Sequence, residues 1–313
     1  MIHQLTRDIE NLHGRLSCER QPILTIASGD EVSAQTRCCG WGVGPPADFE
    51  APIKTIKLAE RSDPEHDSGI CLVGPIALKD ARPDMTLEVE ILELQVGGYG
   101  ITVTGGSPHE RYRRLGFDEA FAFLRWRFDT ARGVAYTSAG FTVQLRPFLG
   151  CLGVAKNAPG YHSNLVAGQG GGNIDCRELV AGSKLYLPIQ VPGALFSFGD
   201  GHAAQGDGEV GDSAIECPMD LVRLRLTLRD DLPLRWPIAN TPAGWVTFGF
   251  HEDLTEATFM ALNGMLDLMV SQLGITRKEA ALLAGVVVDL RISQIVNPTV
   301  GVHAVWPHGS LSR

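Results

Sequence analysis

Asp200 and His202 stand two residues apart in the segment FSFGDGHAAQGDGEV, and Gln205, Asp207 and Glu209 follow within the next seven positions. On an extended strand, side chains two apart share a face, so Asp200 and His202 could grip one ion together. About 25 residues upstream, GGGNIDCREL sets Asp175 just after a glycine run; glycines let the backbone approach a ligand closely and adopt positive φ. Glu216 and Cys217 follow in SAIECP. Carboxylates with one imidazole suit zinc, or calcium or magnesium if oxygen donors predominate. A divalent ion among them would lower the pKa of a water and polarise an amide carbonyl, while Glu209 or Glu216 moves protons as general base and acid. The same Gly-Asp pairs also make tight turns whose carboxylates cap backbone amides, and spacing by itself does not separate the two readings.

Other routes to hydrolysis have less support. No G-x-S-x-G elbow occurs, so an activated serine has no basis. Cys176 and Cys217 adjoin acidic residues but show no paired base, and are expected to be inert buried thiols.

These residues need a scaffold. Alternating apolar positions at 23–31 and 85–95 indicate half-buried strands, with further candidates at 142–145, 184–191, 222–228 and 245–250 between Gly, Pro or Asp turns. The pattern predicts a mainly β, antiparallel, sandwich-like fold. A C-terminal helical pair makes it α+β overall: Phe259, Leu262, Met265, Leu266, Met269 and Val270 form one stripe over 255–273, closed by Gly274. Thr276 and Glu279 then form a capping box that starts a second helix over 276–290. A shorter helical piece is predicted at 118–128. With 313 residues, 44% of them hydrophobic, the chain can build a large core, read here as one domain over 1–313 that could consist of two intertwined β lobes.

A formal charge of -9 without a dense Lys/Arg run argues against nucleic acid. The apolar runs are far shorter than the roughly 20 residues a membrane helix needs, and the N-terminus lacks an apolar signal segment. Seven irregularly spaced cysteines read as reduced thiols, which suits the cytoplasm.

The chain resembles the acetamidase/formamidase family. The resemblance rests on PILTIASGDEV, GPIALKDARPDMTLEVEI, RPFLGCLGVA, the run from GGNIDCREL to GDGHAAQGDGEV, SAIECP and DLRISQIVNPTVGVHAVWP, which occur in the expected order. It implies hydrolysis of short aliphatic amides such as formamide or acetamide on a mostly β fold, a divalent metal, and a homo-oligomer of two or more subunits. The family's Gly-Gly-Asn-x-Asp element falls on Gly171, Gly172, Asn173 and Asp175, and its Gly-Asp-x-His-x-x-Gln-Gly-Asp-Gly-Glu element on Gly199 to Glu209. On this basis Asp175, Asp200 and His202 are the expected metal ligands, Glu209 and Glu216 the catalytic carboxylates, and Asn173 and Gln205 the substrate-binding residues. Two positions depart from the family pattern. Ile70 stands where relatives commonly have histidine, with His66 a conceivable substitute, and Thr36, Arg37, Cys38 and Cys39 occupy a stretch where an acidic residue often follows the first long strand. A catalytically altered small-amide or metal-binding protein on the same scaffold is the alternative these departures leave open.

Overall fold

The computed structural model describes residues 1–44, 58–106, 110–116 and 120–312. Among them the backbone forms sheets of nine, six and four strands. The nine-stranded sheet is antiparallel apart from one edge, where Ile2–Leu5 runs parallel to Asp30–Ala34.

Its central strands show why alternation is the right signal for a sheet with one wet face. Along Met219–Arg229, Val222, Leu224 and Leu226 are buried while Arg223, Arg225 and Arg229 lie on the opposite face. The neighbouring strand Thr86–Val96 follows suit, with Leu87, Val89 and Ile91 facing inward. These residues pack against Val73, Ile76, Leu149, Leu152, Phe196 and Phe198 of the six-stranded sheet in one apolar cluster, so the two sheets form a sandwich.

The six-stranded sheet has no wet face at its centre. Phe148–Val154 and Phe196–His202 are buried at every position, and each lies antiparallel to the other. Glycine makes this burial possible where backbones crowd. A Cβ on Gly199 would sit 2.5 Å from the Cys71 carbonyl oxygen, and one on Gly201 would sit 2.6 Å from that of Cys217.

The helical pair is present as Leu254–Leu273 and Arg277–Val287. Asp253 caps the first by accepting from the Thr255 and Glu256 amides, and Gly274 ends it in the left-handed conformation. The Thr276–Glu279 capping box is formed in both directions. Met265, Met269, Ala257 and Ala261 pack on Val302 and Ala304 of the large sheet. Phe259 is 56% exposed and stands off the stripe, because it lies on the flank of the helix away from the sheet.

The 118–128 helix is not found. Residues 118 and 119 lie outside the described residues, and Ala122–Asp129 is a strand paired with Gly100–Thr104. Trp126 points into the core from that strand, so its apolar residues answer to sheet burial and not to a helical face.

Candidate active site

The sandwich brings six side chains with metal-ligating atoms together at the end of the buried strand Phe196–His202. They form three overlapping groups: Asp175, Asp200 and His202; His202, Glu209 and Glu216; and Cys39, Asp200 and Glu216. Within each group the ligand atoms lie within 4.8 Å of one another. Asp175 arrives from the turn after strand Gly171–Asn173, whose partner is Phe148–Val154. Glu216 is placed by paired backbone hydrogen bonds with Ile101 and by bridging to His202.

Gly150 makes the space. A Cβ there would meet Asp200 Oδ2 at 2.5 Å, Asp175 Oδ1 at 2.6 Å and His202 Cε1 at 2.9 Å, so its missing side chain is the volume into which three donors point. Its carbonyl accepts from the Ile174 and Asp175 amides, which fixes the Asp175 turn.

Three of the carboxylates sit on strained backbone. Asp175, Asp200 and Glu209 have φ of 47°, 63° and 47°, the left-handed region that non-glycine residues seldom occupy. Such strain persists where the surroundings over-determine it, and it concentrates at functional sites.

The carboxylates share a pattern of half-satisfaction. Asp175 Oδ2 accepts from Asn297 Nδ2 at 2.9 Å while Oδ1 is buried without a partner. Glu216 Oε1 accepts from the Ala214 amide at 3.1 Å while Oε2 is left over. Glu209 Oε2 is also buried without a hydrogen bond, and His202 Nε2 faces Glu216 Oε2 at 3.2 Å without forming one. Buried polar atoms seldom go unpaired, so four such atoms at one place fit a cation in their midst.

Gln205 decides which nitrogen of His202 is free. Its Nε2 donates to the carbonyls of Asp175 at 2.9 Å and Ser293 at 3.2 Å, which leaves its Oε1 facing His202 Nδ1 at 3.0 Å. An acceptor at that position draws the proton to Nδ1, and Nε2 is turned toward Glu216 at 3.2 Å and Asp200 at 3.5 Å. The Gln205 amide is thus committed to protein groups.

Electrostatics agree with the geometry. Burial, then the charge of Asp200, pushes Asp175 well above the usual carboxylate range, and burial with Asp175 does the same to Glu209. Burial also raises Asp200. Burial acts to raise Glu216 too, but His202 outweighs it and holds this carboxyl low. Burial opposes charge on His202, yet Glu216 and Asp200 keep its pKa well above the ordinary value. One imidazole cannot neutralise four buried carboxylates, whereas a divalent ion together with a protonated imidazole would offset three of the four charges.

The remaining expectations fall as follows. Asn173 is buried, and its Oδ1 has no partner. Asp207 lies apart from the cluster, where burial raises its pKa against the opposing charges of Arg177 and Arg291. Cys176 and Cys217 are buried thiols whose pKa burial pushes up, which leaves them poor nucleophiles. His66 bonds Asp63 and stacks on Tyr161, outside the cluster, and Ile70 is packed with Leu16, Leu72 and Cys151. Cys39, Asn297 and Gly150 were not singled out from sequence. Only Cys39 carried any signal, as part of a stretch that departs from the family pattern. Beside the site, a cavity of about 400 Å³ is lined by Trp126, Gln144, Arg146, Arg177, Gln205 and Ile215.

Residues 163–308 match the profile of the Acetamidase/Formamidase family. Over its whole length the fold is similar to the crystal structure of an acetamidase from Bacillus halodurans, with a TM-score of 0.85, 26% identity and 97% of each chain covered. A putative formamidase of Schizosaccharomyces pombe is 48% identical over 56 residues, which are 18% of this chain and 12% of that protein. An acetamidase of Mycolicibacterium smegmatis is 45% identical over 42 residues, 13% of this chain and 10% of its own length. The chain is thus similar to the acetamidase/formamidase family in sequence over residues 163–308 and to an acetamidase in fold over nearly its whole length.

Proposed function

We propose that this chain hydrolyses short aliphatic amides, of the formamide or acetamide class, to carboxylate and ammonia with the help of a divalent metal. The observation that supports the reading is the clustering of buried donor atoms of Asp175, Asp200, His202, Glu209 and Glu216, with Asp175 and Asp200 meeting over the space left open by Gly150. Asp175, Asp200, His202 and Glu216 would hold the ion. When bound, it supplies a Lewis acid for the carbonyl oxygen and offsets the carboxylates' charge.

The protein's own groups do the rest. Asn173, whose buried Oδ1 makes no hydrogen bond, would accept an N–H of the substrate amide. Gln205 acts by fixing the His202 tautomer, since its own amide is already committed. Glu209 Oε2 accepts a proton from the attacking water and passes it to the amide nitrogen, which then departs as ammonia when the C–N bond breaks. Burial excludes bulk water that would otherwise compete for these protons.

The surface and the thiols support a reading of partner and compartment. Leu282, Val286, Leu290 and Ile292 are exposed on and beside the edge strand Asp289–Gln294, a face suited to a second copy of the chain in a homo-oligomer. Seven free cysteines suit the cytoplasm. No helix among the described residues is long and apolar enough to cross a membrane.

The test is ammonia release from formamide, acetamide and longer amides, before and after chelation and after metal is restored. Release that chelator abolishes and metal restores is the expected result. Stoichiometric metal binding without turnover of any amide would favour the non-catalytic alternative.

A further inference from the structure

Cys39 belongs to no strand, yet its position is fixed. Its carbonyl accepts from the Cys71 amide at 3.0 Å, one residue before strand Leu72–Leu78, and it packs against the apolar group of Leu16, Ile70, Leu72 and Cys151. From there its Sγ lies within 4.8 Å of a carboxylate oxygen of both Asp200 and Glu216. Asp200 is 4% exposed and Glu216 is 7% exposed, and Glu216 Oε2 makes no hydrogen bond although it faces His202 Nε2 at 3.2 Å. A thiol is a weak donor and cannot satisfy two carboxylates. In the tetrahedral arrangement that zinc prefers, sulfur and oxygen ligands stand roughly 3.6 Å apart, so a side-chain rotation that brings the thiol inward by about 1 Å closes this set on a metal.

We propose that Cys39 is a thiolate ligand of the metal centre, joining Asp200 and Glu216, and that the site is thereby selective for a thiophilic ion of the zinc class over calcium or magnesium. The inference rests on the metal-assisted reading above and adds to it the sulfur donor and the identity of the ion. Asp200 and Glu216 each belong also to a group containing His202, so the thiol enters the same centre and not a separate one. Hard cations take oxygen ligands and gain little from sulfur, whereas thiolate selects zinc and its softer congeners. Cys38, next in the chain, shares no ligand group with the carboxylates and serves as the internal control.

Metal is stripped from the full-length protein with chelator and replaced by cobalt(II), and the absorption spectrum is read. The expected result is a near-ultraviolet thiolate-to-cobalt charge-transfer band beside the weaker visible bands of the bound ion. Cys39→Ser and Cys39→Asp should lose the near-ultraviolet band and keep the visible ones, while Cys38→Ser keeps both. Cys39→Asp should also let calcium displace zinc at an excess lower by about tenfold or more, since even groups that act through a ligand change affinity on that scale. If the Cys39 variants do not fold, cadmium-113 resonance of the parent protein reads sulfur ligation directly from the chemical shift. Visible bands without the charge-transfer band, or a cadmium shift of purely nitrogen and oxygen ligation, overturn the sulfur ligand while leaving a metal centre standing. Failure of the parent protein to bind cobalt or cadmium overturns both.

Discussion

Two charged regions of this molecule use the same residue types to opposite ends. On the outer face of the nine-stranded sheet, Arg223, Arg225, Arg229 and Lys184 interleave with Glu31, Glu88 and Glu90, with Arg225 bonded to both Glu31 and Glu90. Every carboxylate there has a cation beside it, and hydrogen bonds from Arg225 and Arg223 hold Glu31 below the usual carboxylate range. At the end of strand Phe196–His202, Asp175, Asp200, Glu209 and Glu216 share a single histidine and are buried, and all but Asp200 keep an oxygen without a hydrogen bond. Charge by itself therefore does not mark a functional site. Charge that the chain leaves uncompensated does.

The comparison breaks first at Glu209. Glu209→Gln should cost about 100-fold or more in turnover, the scale of acid-base assistance, while metal content and circular dichroism stay those of the parent. Turnover at the parent rate would return Glu209 to the status of a structural carboxylate. Gly150→Ala is next, because its methyl group would occupy the space where Asp175 and Asp200 meet. It should lower both bound metal, read by elemental analysis, and turnover by about 100-fold, as displacements near 1 Å do in positioned sites. Full metal content in that variant would mean the ion is held elsewhere.

Stability sharpens the contrast. In chelator-treated protein, Asp200→Asn should raise Tm by about 2 °C or more, because it removes a buried like charge worth on the order of 1 kcal/mol. A lower Tm would show that the cluster is balanced without metal. On the outer face, Arg225→Met should instead destabilise by about 1 kcal/mol or less, since partly exposed pairs are screened. The denaturant midpoint reads this change.

A third charge environment lies outside both regions and predicts a pH effect. His13 is buried against Ser197, and burial, followed by the Arg20 charge, pushes its pKa from 6.5 down to about 4. Between those values the unfolded chain takes up a proton that the folded chain refuses. Its contribution to stability is therefore intact above pH 6.5 and lost as pH falls toward 4. His13→Gln should flatten the stability profile across that window, and an unchanged slope would assign the acid sensitivity to other groups.

Legibility in the sequence follows the same physics. The helical pair was readable because its stripe, capping box and terminal glycine are local signals, and 85–95 was readable because Thr86–Val96 has one wet face. Phe148–Val154 and Phe196–His202 do not alternate, since both faces are covered and glycines replace side chains where backbones approach. The 118–128 stretch misled because its dense apolar residues fit helical steps, while Leu124, Trp126 and Phe128 also stand at the two-residue steps of a strand that buries Trp126. Asp175, Asp200, His202, Glu209 and Glu216 were visible as a dense acidic run. Gly150, Cys39 and Asn297 reach the same place from distant parts of the chain, and only the sandwich brings them there.

The left-handed backbone at Asp175, Asp200 and Glu209 also has a bearing on descent. Glycine adopts that conformation without strain, and a single nucleotide change turns either an aspartate or a glutamate codon into a glycine codon. At these three positions one mutation would relieve backbone strain and remove a buried charge together. A lineage released from selection for amide turnover would drift toward glycine there, becoming sturdier as it falls silent, so glycine at 175, 200 or 209 in a relative would be a genetic sign that its chemistry has been abandoned.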